Sequence, residues 1–313
     1  MRPAFSVIFL TTLIGAGQGL FLAVYSAELA SALQLVAMPD GRFFFVAGSL
    51  LSFALSALGL GASFLHLGHP ERAWRAAAMW RTSWLSREVI ALPAFMALVA
   101  LYGLGHILNL RGTLVVGAAA TVLCVALFVC TGMIYACIKF LQEWASPLTV
   151  VNYLLLGCAS GFTLAAAFAA LAATHLAPAY ATTALVLTLL GAATRAASLV
   201  RNSSIKPRSS LQTAIGIRHP RIQQKSQGFM GGSFNTREFF HGRSRALMRS
   251  IKWGFLAFAF VIPSILLACG LVVSSPWLLW AAFVVQYAGL IAERWFFFAQ
   301  SNHPQNLYYQ AIS

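Results

Sequence analysis

Apolar runs long enough to cross a lipid bilayer recur about eight times along the chain, and polar residues collect in the gaps between them. A membrane-spanning helix needs about 20 apolar residues, whereas a barrel strand alternates apolar and polar residues over about ten. The runs are continuous, so the pattern predicts an all-α, polytopic membrane protein. The predicted spans are roughly 5–37, 42–65, 87–110, 112–140, 147–173, 178–200, 251–273 and 276–298. The first and fourth are long enough to predict tilt or a turn outside the membrane.

The composition supports this fold class. Of the 313 residues, 59% are hydrophobic and 9% are charged, whereas soluble domains carry about 25% charged residues. The mean hydropathy is +0.78. Turn-forming pairs separate the runs, as at Ser146-Pro147 and Ser275-Pro276. We therefore expect one integral membrane domain over 1–313, interrupted by one long basic loop at about 201–250.

Lysine and arginine are distributed unequally between the two sides of the predicted bundle. With eight spans, both termini share a side with the second–third, fourth–fifth and sixth–seventh loops, and this side receives most of the basic residues. The other side receives Arg42 and Arg111. Cytoplasmic loops carry the Lys/Arg excess, so we expect a bacterial inner-membrane protein with both termini in the cytoplasm. The net charge of +14 reflects this bias and does not indicate nucleic-acid binding.

The loop at 201–250 has two interpretations that its sequence leaves open. Its many Lys and Arg residues are typical of a solvated loop attracted to lipid headgroups. Aromatic residues among the basic ones are also typical of a docking surface for an acidic cytoplasmic partner, with Phe234, Arg237, Phe239 and Phe240 as candidate anchors.

The first and fifth spans share a glycine pattern. Gly15 and Gly19 in the first span have the same spacing as Gly157 and Gly161 in the fifth. Such a Gly-x-x-x-Gly face lets two helices approach closely. Both spans enter the membrane from the same side, so a duplication giving two four-helix bundles is one option.

The densest polar cluster begins where the second span ends. It contains His66, His69 and Arg72, and Glu88 follows at the start of the third span. A histidine beside a carboxylate and arginines at the hydrocarbon edge suits hydrogen bonding to a quinone carbonyl and transfer of its protons. The same residues also suit an interfacial loop with ordinary Arg–Glu pairs, and the chemistry alone favours that simpler interpretation.

Four segments of the chain change this balance. His-Leu-Gly-His-Pro-Glu-Arg-Ala (66–73) and Ser-Trp-Leu-Ser-Arg-Glu (83–88) flank the second–third loop. Trp-Ala-Ser-Pro (144–147) precedes the fifth span and Arg-Trp-Phe-Phe-Phe (294–298) ends the eighth. Together with the eight-helix plan, they resemble the anchor subunit of dimethyl sulfoxide reductase, the DmsC-like branch of the NrfD-like membrane subunits. The chain departs from that pattern at Glu293, which is adjacent to Arg294, so no role is transferred to this acid.

The resemblance implies a membrane anchor without a redox centre of its own. Such anchors hold a ferredoxin-like iron–sulfur subunit and a molybdopterin catalytic subunit at the membrane, and exchange electrons with the ubiquinone or menaquinone pool. By this resemblance His66 is the quinone contact, and Arg72 and Glu88 are candidate neighbours. His69 matches no fixed position of the motif and is a weaker candidate.

The direction of electron flow is also inferred from resemblance. The long basic loop resembles that of anchors in cytoplasmic, sulfite-oxidising relatives of dimethyl sulfoxide reductase, which favours a sulfite:quinone oxidoreductase. The alternative is a menaquinol-oxidising anchor of an S- or N-oxide reductase. No residue of an anchor touches sulfite or sulfoxide, so the chain alone does not decide its substrate or make it an enzyme by itself.

Two other functions remain as rivals. A haem anchor needs two axial histidines at one depth, but His66 and His106 are separated by about 28 Å along the membrane normal at 1.5 Å per residue, so we expect no haem. An ion or small-molecule transporter needs charged groups near the bilayer midplane. Glu28 and Arg195 are instead predicted near opposite interfaces.

Overall fold

The computed structural model describes residues 1–39, 42–65, 67–223, 242–304 and 306. Within this part of the chain, eight helices are long and apolar enough to cross a membrane. They are α1 (Phe5–Ala32), α2 (Phe43–Phe64), α3 (Trp84–Ile107), α4 (Thr113–Ala136), α5 (Pro147–Ala172), α6 (Ala177–Ser203), α7 (Arg245–Val273) and α8 (Pro276–Ala299). The predicted all-α, polytopic membrane fold is confirmed.

The long first and fourth predicted spans end in turns. The helix α1 stops at Ala32, and Gln34 takes a positive φ of 57° in the turn that follows. The helix α4 likewise ends at Ala136. By contrast, α7 begins at Arg245, because the side chain of Ser244 accepts a hydrogen bond from the backbone N–H of Leu247 and caps the helix.

The eight helices form two groups of four. In the first group, α1 contacts α2 and α4, and α3 completes the ring by contacting the same two helices. In the second group, α5 contacts α6 and α8, and α7 contacts the same two helices. The groups meet along α1 and α5, flanked by contacts of α4 with α5 and of α1 with α8. This exchange of equivalent partners agrees with a two-bundle arrangement.

Glycines allow the two central helices to touch. A Cβ atom added to Gly19 would lie 2.6 Å from the carbonyl oxygen of Gly157 and 2.9 Å from the Cα of Gly161. A Cβ added to Gly161 would overlap the backbone of Gly19 and Leu20. Any side chain at these positions would therefore separate α1 from α5. The shared glycine pattern seen in the sequence is the contact between the two bundles.

We call one end of the bundle the basic face. It carries the N-terminus, the end of α8 and the α2–α3, α4–α5 and α6–α7 connections. Between α2 and α3, a 3-10 helix spans Pro70–Met79, with Trp74 and Trp80 exposed. The guanidinium of Arg75 lies over the Trp74 ring, and that of Arg81 over the Trp80 ring, each 5.5 Å from the centroid. Such Trp–Arg pairs are typical of a membrane–water interface.

Candidate functional site

Glu88 lies one turn into α3, near the basic face, and its side chain is buried. The helix begins here because the side chain of Ser83 accepts a hydrogen bond from the backbone N–H of Ser86 at 3.3 Å. Across the contact with α4, the hydroxyl of Thr131 donates to Oε1 of Glu88 at 2.5 Å. An acid inside a membrane-spanning segment is costly, and such acids usually have a function.

Glu88 and Thr131 line a cavity where five helices meet. Its volume is about 20 Å³. Since a water molecule needs roughly 10–15 Å³ by this measure, the cavity admits water, whereas a ring-sized ligand needs its side chains to move. The lining residues come from α1, α3, α4, α5 and α8: Leu10, Thr11, Thr12, Ile14, Gly15, Gln18, Glu88, Phe128, Thr131, Tyr153, Leu156, Gly157, Ser160, Leu290 and Arg294.

Arg294 closes this cavity on the α8 side. Its guanidinium carbon lies 3.7 Å from the centre of the Tyr153 ring, and the Tyr135 ring stacks on that of Tyr153 with centroids 5.5 Å apart. A cation held over an aromatic face is stabilised by the negative potential of the ring, most strongly where water is excluded. The Tyr153 ring thus helps to fix the buried guanidinium in place.

The aromatic motif before α5 holds this region together. The indole N–H of Trp144 donates to the carbonyl of Phe297 at 3.0 Å, and the hydroxyl of Thr149 donates to the carbonyl of Trp144 at 2.7 Å. Ser146 caps α5 by accepting from the N–H of Leu148. The segments 144–147 and 294–298, which carry part of the family resemblance, therefore fix the end of α8 against the start of α5.

Glu293 joins α8 to α6. Its Oε1 lies 2.7 Å from Nε of Arg195, and its Oε2 lies 3.3 Å from a terminal nitrogen of Arg294. All three side chains are at most 6% exposed. Sequence reasoning assigned no role to Glu293 and placed Arg195 near an interface, so it missed this cluster. The available signal was a single arginine within an otherwise apolar sixth span.

A second, smaller cavity lies on the other side of this cluster. Its volume is about 10 Å³. It is lined by residues of the α4–α5 connection, α5, α6 and α8: Glu143, Ser146, Thr149, Asn152, Arg195, Ser198, Arg201, Asn202, Glu293, Arg294 and Phe297. Arg294 belongs to the walls of both cavities. Polar side chains therefore extend from the basic face to Glu88.

The predicted quinone residues are distributed over different environments. His69 and Arg72 are exposed and both face Glu71, at 3.0 Å and 3.7 Å from its Oε1. Neither lines the cavity at Glu88. His66 lies outside the described residues, as do the predicted docking residues Phe234, Arg237, Phe239 and Phe240. Among the three quinone candidates that the structure describes, Glu88 is the one placed in a polar cavity.

A second buried acid lies at the opposite end of the first bundle. The hydroxyl of Thr113 donates to Oε1 of Glu28 at 2.5 Å, and Nε2 of His106 lies 3.7 Å from the same oxygen. The His106 ring stacks on Phe45 with centroids 4.4 Å apart. Among the described residues, no group of three or more His, Cys, Asp or Glu side chains is arranged to hold a metal ion.

Comparison with known proteins agrees with the motifs. The model of the DMSO reductase anchor subunit (DmsC) family matches residues 1–299. A sulfite dehydrogenase subunit of Allochromatium vinosum is 53% identical over 326 aligned residues, which cover 100% of both chains. This match exceeds what a shared helical architecture alone would require. The chain therefore belongs to the DMSO reductase anchor subunit family.

Proposed function

We propose that this protein anchors a molybdopterin and iron–sulfur oxidoreductase to the inner membrane and passes its electrons to quinone. The observation that carries the proposal is the full-length similarity to a protein named as a sulfite dehydrogenase subunit. In the proposed reaction, sulfite is oxidised at the molybdopterin subunit. Iron–sulfur clusters of a second subunit then carry the electrons to the anchor, where quinone takes up two electrons and two protons.

Glu88 supports a quinone site near the basic face. It is a buried carboxylate beside a hydroxyl donor, at the end of the bundle that also carries the family motif at 66–73. A side chain that exchanges protons near the reacting oxygen accelerates proton-coupled chemistry by roughly 10²–10⁴. We assign Glu88 to this role, His66 to the quinone hydrogen bond, and Arg72 and His69 to the rim of the site.

The excess of basic residues suggests which side carries the catalytic subunits. The basic face holds Arg72, Arg75, Arg81 and Arg87, and the positive-inside rule assigns such a face to the cytoplasm. Electrons must enter close to the quinone, so the iron–sulfur subunit docks on the same face. The loop residues Phe234, Arg237, Phe239 and Phe240 are its proposed contacts.

The test is sulfite-dependent reduction of a short-chain ubiquinone by the purified complex, compared with reduction of ferricyanide. Ferricyanide takes single electrons from the soluble subunits and needs no quinone site. Replacement of His66 by Leu should abolish the quinone reaction and preserve both assembly and the ferricyanide reaction. Equal loss of both reactions, or a wild-type complex that never reduces quinone with sulfite, would refute the proposal.

The description of the matching family model supports a second candidate. An anchor of a DMSO or N-oxide reductase would run the same chemistry in reverse, oxidising menaquinol and supplying electrons to the catalytic subunits. The same purified complex distinguishes the two: dimethyl sulfoxide-dependent oxidation of a reduced menaquinone analogue, without sulfite-dependent ubiquinone reduction, would favour it.

A further inference from the structure

We infer that the two cavities and the Arg195–Glu293–Arg294 cluster between them form a hydrated path that delivers protons from the basic face to Glu88. The inference rests on the proposed function, because quinone reduction is the reaction that consumes these protons. Each quinone accepts two electrons from the iron–sulfur partner and two protons from water at the basic face, and leaves as quinol. A buried acid can supply one proton, but repeated turnover requires that it be reprotonated.

The outer end of the path is the smaller cavity. Glu143, Arg201 and Asn202 line it at the basic face, and none of them is fully buried. Arg201 donates hydrogen bonds to the carbonyls of Gln142 at 3.1 Å and Ala145 at 3.2 Å. The end of α6 is therefore tied to the α4–α5 connection, and this mouth has a fixed shape rather than depending on a moving loop.

The middle of the path requires water. Arg195 is 2% exposed, and its Nη2 has no hydrogen-bond partner among the residues that the structure describes. It lines a cavity of about 10 Å³, close to the size of one water molecule. An unsatisfied buried guanidinium donor costs free energy, so a water molecule here is strongly favoured. Asn152, held by Thr194 and Ser198, adds a polar wall.

Charged groups from each neighbouring element face Glu293. Arg195 approaches it from α6 and Arg294 from its own helix, while Tyr153 of α5 lies under Arg294. Glu88 of α3 lies beyond Arg294, across the larger cavity. A buried ion pair by itself is weak evidence for stabilisation, because desolvation offsets the attraction between the charges. Two guanidinium groups around one carboxylate, between two water-sized spaces, instead suit ordering of water and exchange of a proton.

The inner end of the path is the cavity at Glu88. Its volume of about 20 Å³ accommodates one or two water molecules but not a quinone ring. The hydroxyls of Thr12 and Thr131 and the amide of Gln18 line it. Because Arg294 belongs to both cavities, a small movement of this one side chain joins them. The path therefore ends at Glu88, where the proposed quinone reaction needs the proton.

The experiment compares sulfite-dependent ubiquinone reduction with ferricyanide reduction in complexes carrying Glu293→Gln. Glutamine keeps the size of the side chain and removes its ability to exchange a proton. We expect the quinone reaction to fall at least about tenfold, since positioned proton transfer contributes roughly 10²–10⁴. The ferricyanide reaction should remain at the wild-type rate, and the solvent deuterium isotope effect on the quinone reaction should increase.

Two further variants keep the test decisive. Asn152→Leu removes the polar wall of the smaller cavity without changing any charge, and we expect the same slower, more isotope-sensitive quinone reaction. Thr188→Val is the matched control, because it removes a buried hydrogen bond between α6 and α8, from Gln286 at 2.9 Å, away from both cavities. It should leave both reactions and the isotope effect unchanged.

The outcomes separate the path from the proposed function. A wild-type complex that cannot reduce quinone with sulfite overturns the function. If the wild type reduces quinone, an assembled Glu293→Gln complex with the wild-type rate and isotope effect overturns the path. If Glu293→Gln fails to assemble, Asn152→Leu decides: an unchanged quinone rate and isotope effect overturns the path, and a slower, isotope-sensitive reaction supports it.

Discussion

The hydroxyl of Thr131 donates a 2.5 Å hydrogen bond to the carboxylate of Glu88 across the contact between α3 and α4. This bond satisfies one oxygen of a buried acid while Glu88 remains part of a cavity wall. A carboxylate that is buried, partly satisfied and accessible to water is suited to proton exchange. Glu88 therefore differs in kind from Glu71, which is exposed at the basic face.

We predict that Glu88→Gln lowers sulfite-dependent quinone reduction by at least about tenfold and leaves ferricyanide reduction unchanged. Glutamine still accepts the hydrogen bond from Thr131, so the contact between α3 and α4 should persist. The matched control is Glu71→Gln, since that carboxylate is paired with the exposed side chains of His69 and Arg72. A larger loss of quinone reduction in Glu71→Gln than in Glu88→Gln would contradict the assignment of the buried acid.

The contact between the two bundles gives a prediction about assembly. Gly161→Leu places a side chain where a Cβ alone would already overlap the backbone of α1. Overpacking typically costs about 1–3 kcal/mol or more, and here the neighbour is backbone, which cannot rotate away. We expect a lower thermal unfolding midpoint and reduced accumulation in membranes. Gly61→Ala, whose added Cβ would meet nothing within 4 Å, should match the wild type; equal loss in both would indicate a general helix effect.

Much of this architecture was predictable from the sequence, for identifiable reasons. Continuous apolar runs located the eight helices, and the glycines of α1 and α5 marked a close approach between helices. Glu88 could be selected because it follows a turn and begins a helix. The cluster at Glu293 could not, because its partner Arg195 is distant in the chain and meets it only where α6 and α8 pack beside α5. An adjacent Glu–Arg pair in a sequence looks self-neutralising, which concealed the second arginine.

Glu28 and His106 provide a prediction at the face opposite the quinone site. Both side chains are at most 10% exposed, and removing one partner of a buried ionic pair typically costs about 3–5 kcal/mol. We expect His106→Leu to lower the thermal unfolding midpoint of the complex while the ratio of quinone to ferricyanide activity stays at the wild-type value. His175→Leu is the control, because that histidine is exposed near the same face. A changed activity ratio in His106→Leu would connect this cluster to the quinone reaction.

The N-terminal amine gives a prediction about pH. It donates to the carbonyl of Ser301 at 2.8 Å, and burial lowers its pKa from 8.0 to about 5, an effect that Glu143 partly opposes. Since the folded state then binds fewer protons than the unfolded state between about pH 5 and 8, the contribution of this amine to stability increases as the pH rises through that range. We expect the thermal unfolding midpoint to rise between about pH 5.5 and 8. A short N-terminal extension, which moves the amine away from Ser301, should weaken that rise, whereas the same extension at the C-terminus should preserve it. An identical pH profile for all three proteins would show that the amine does not contribute.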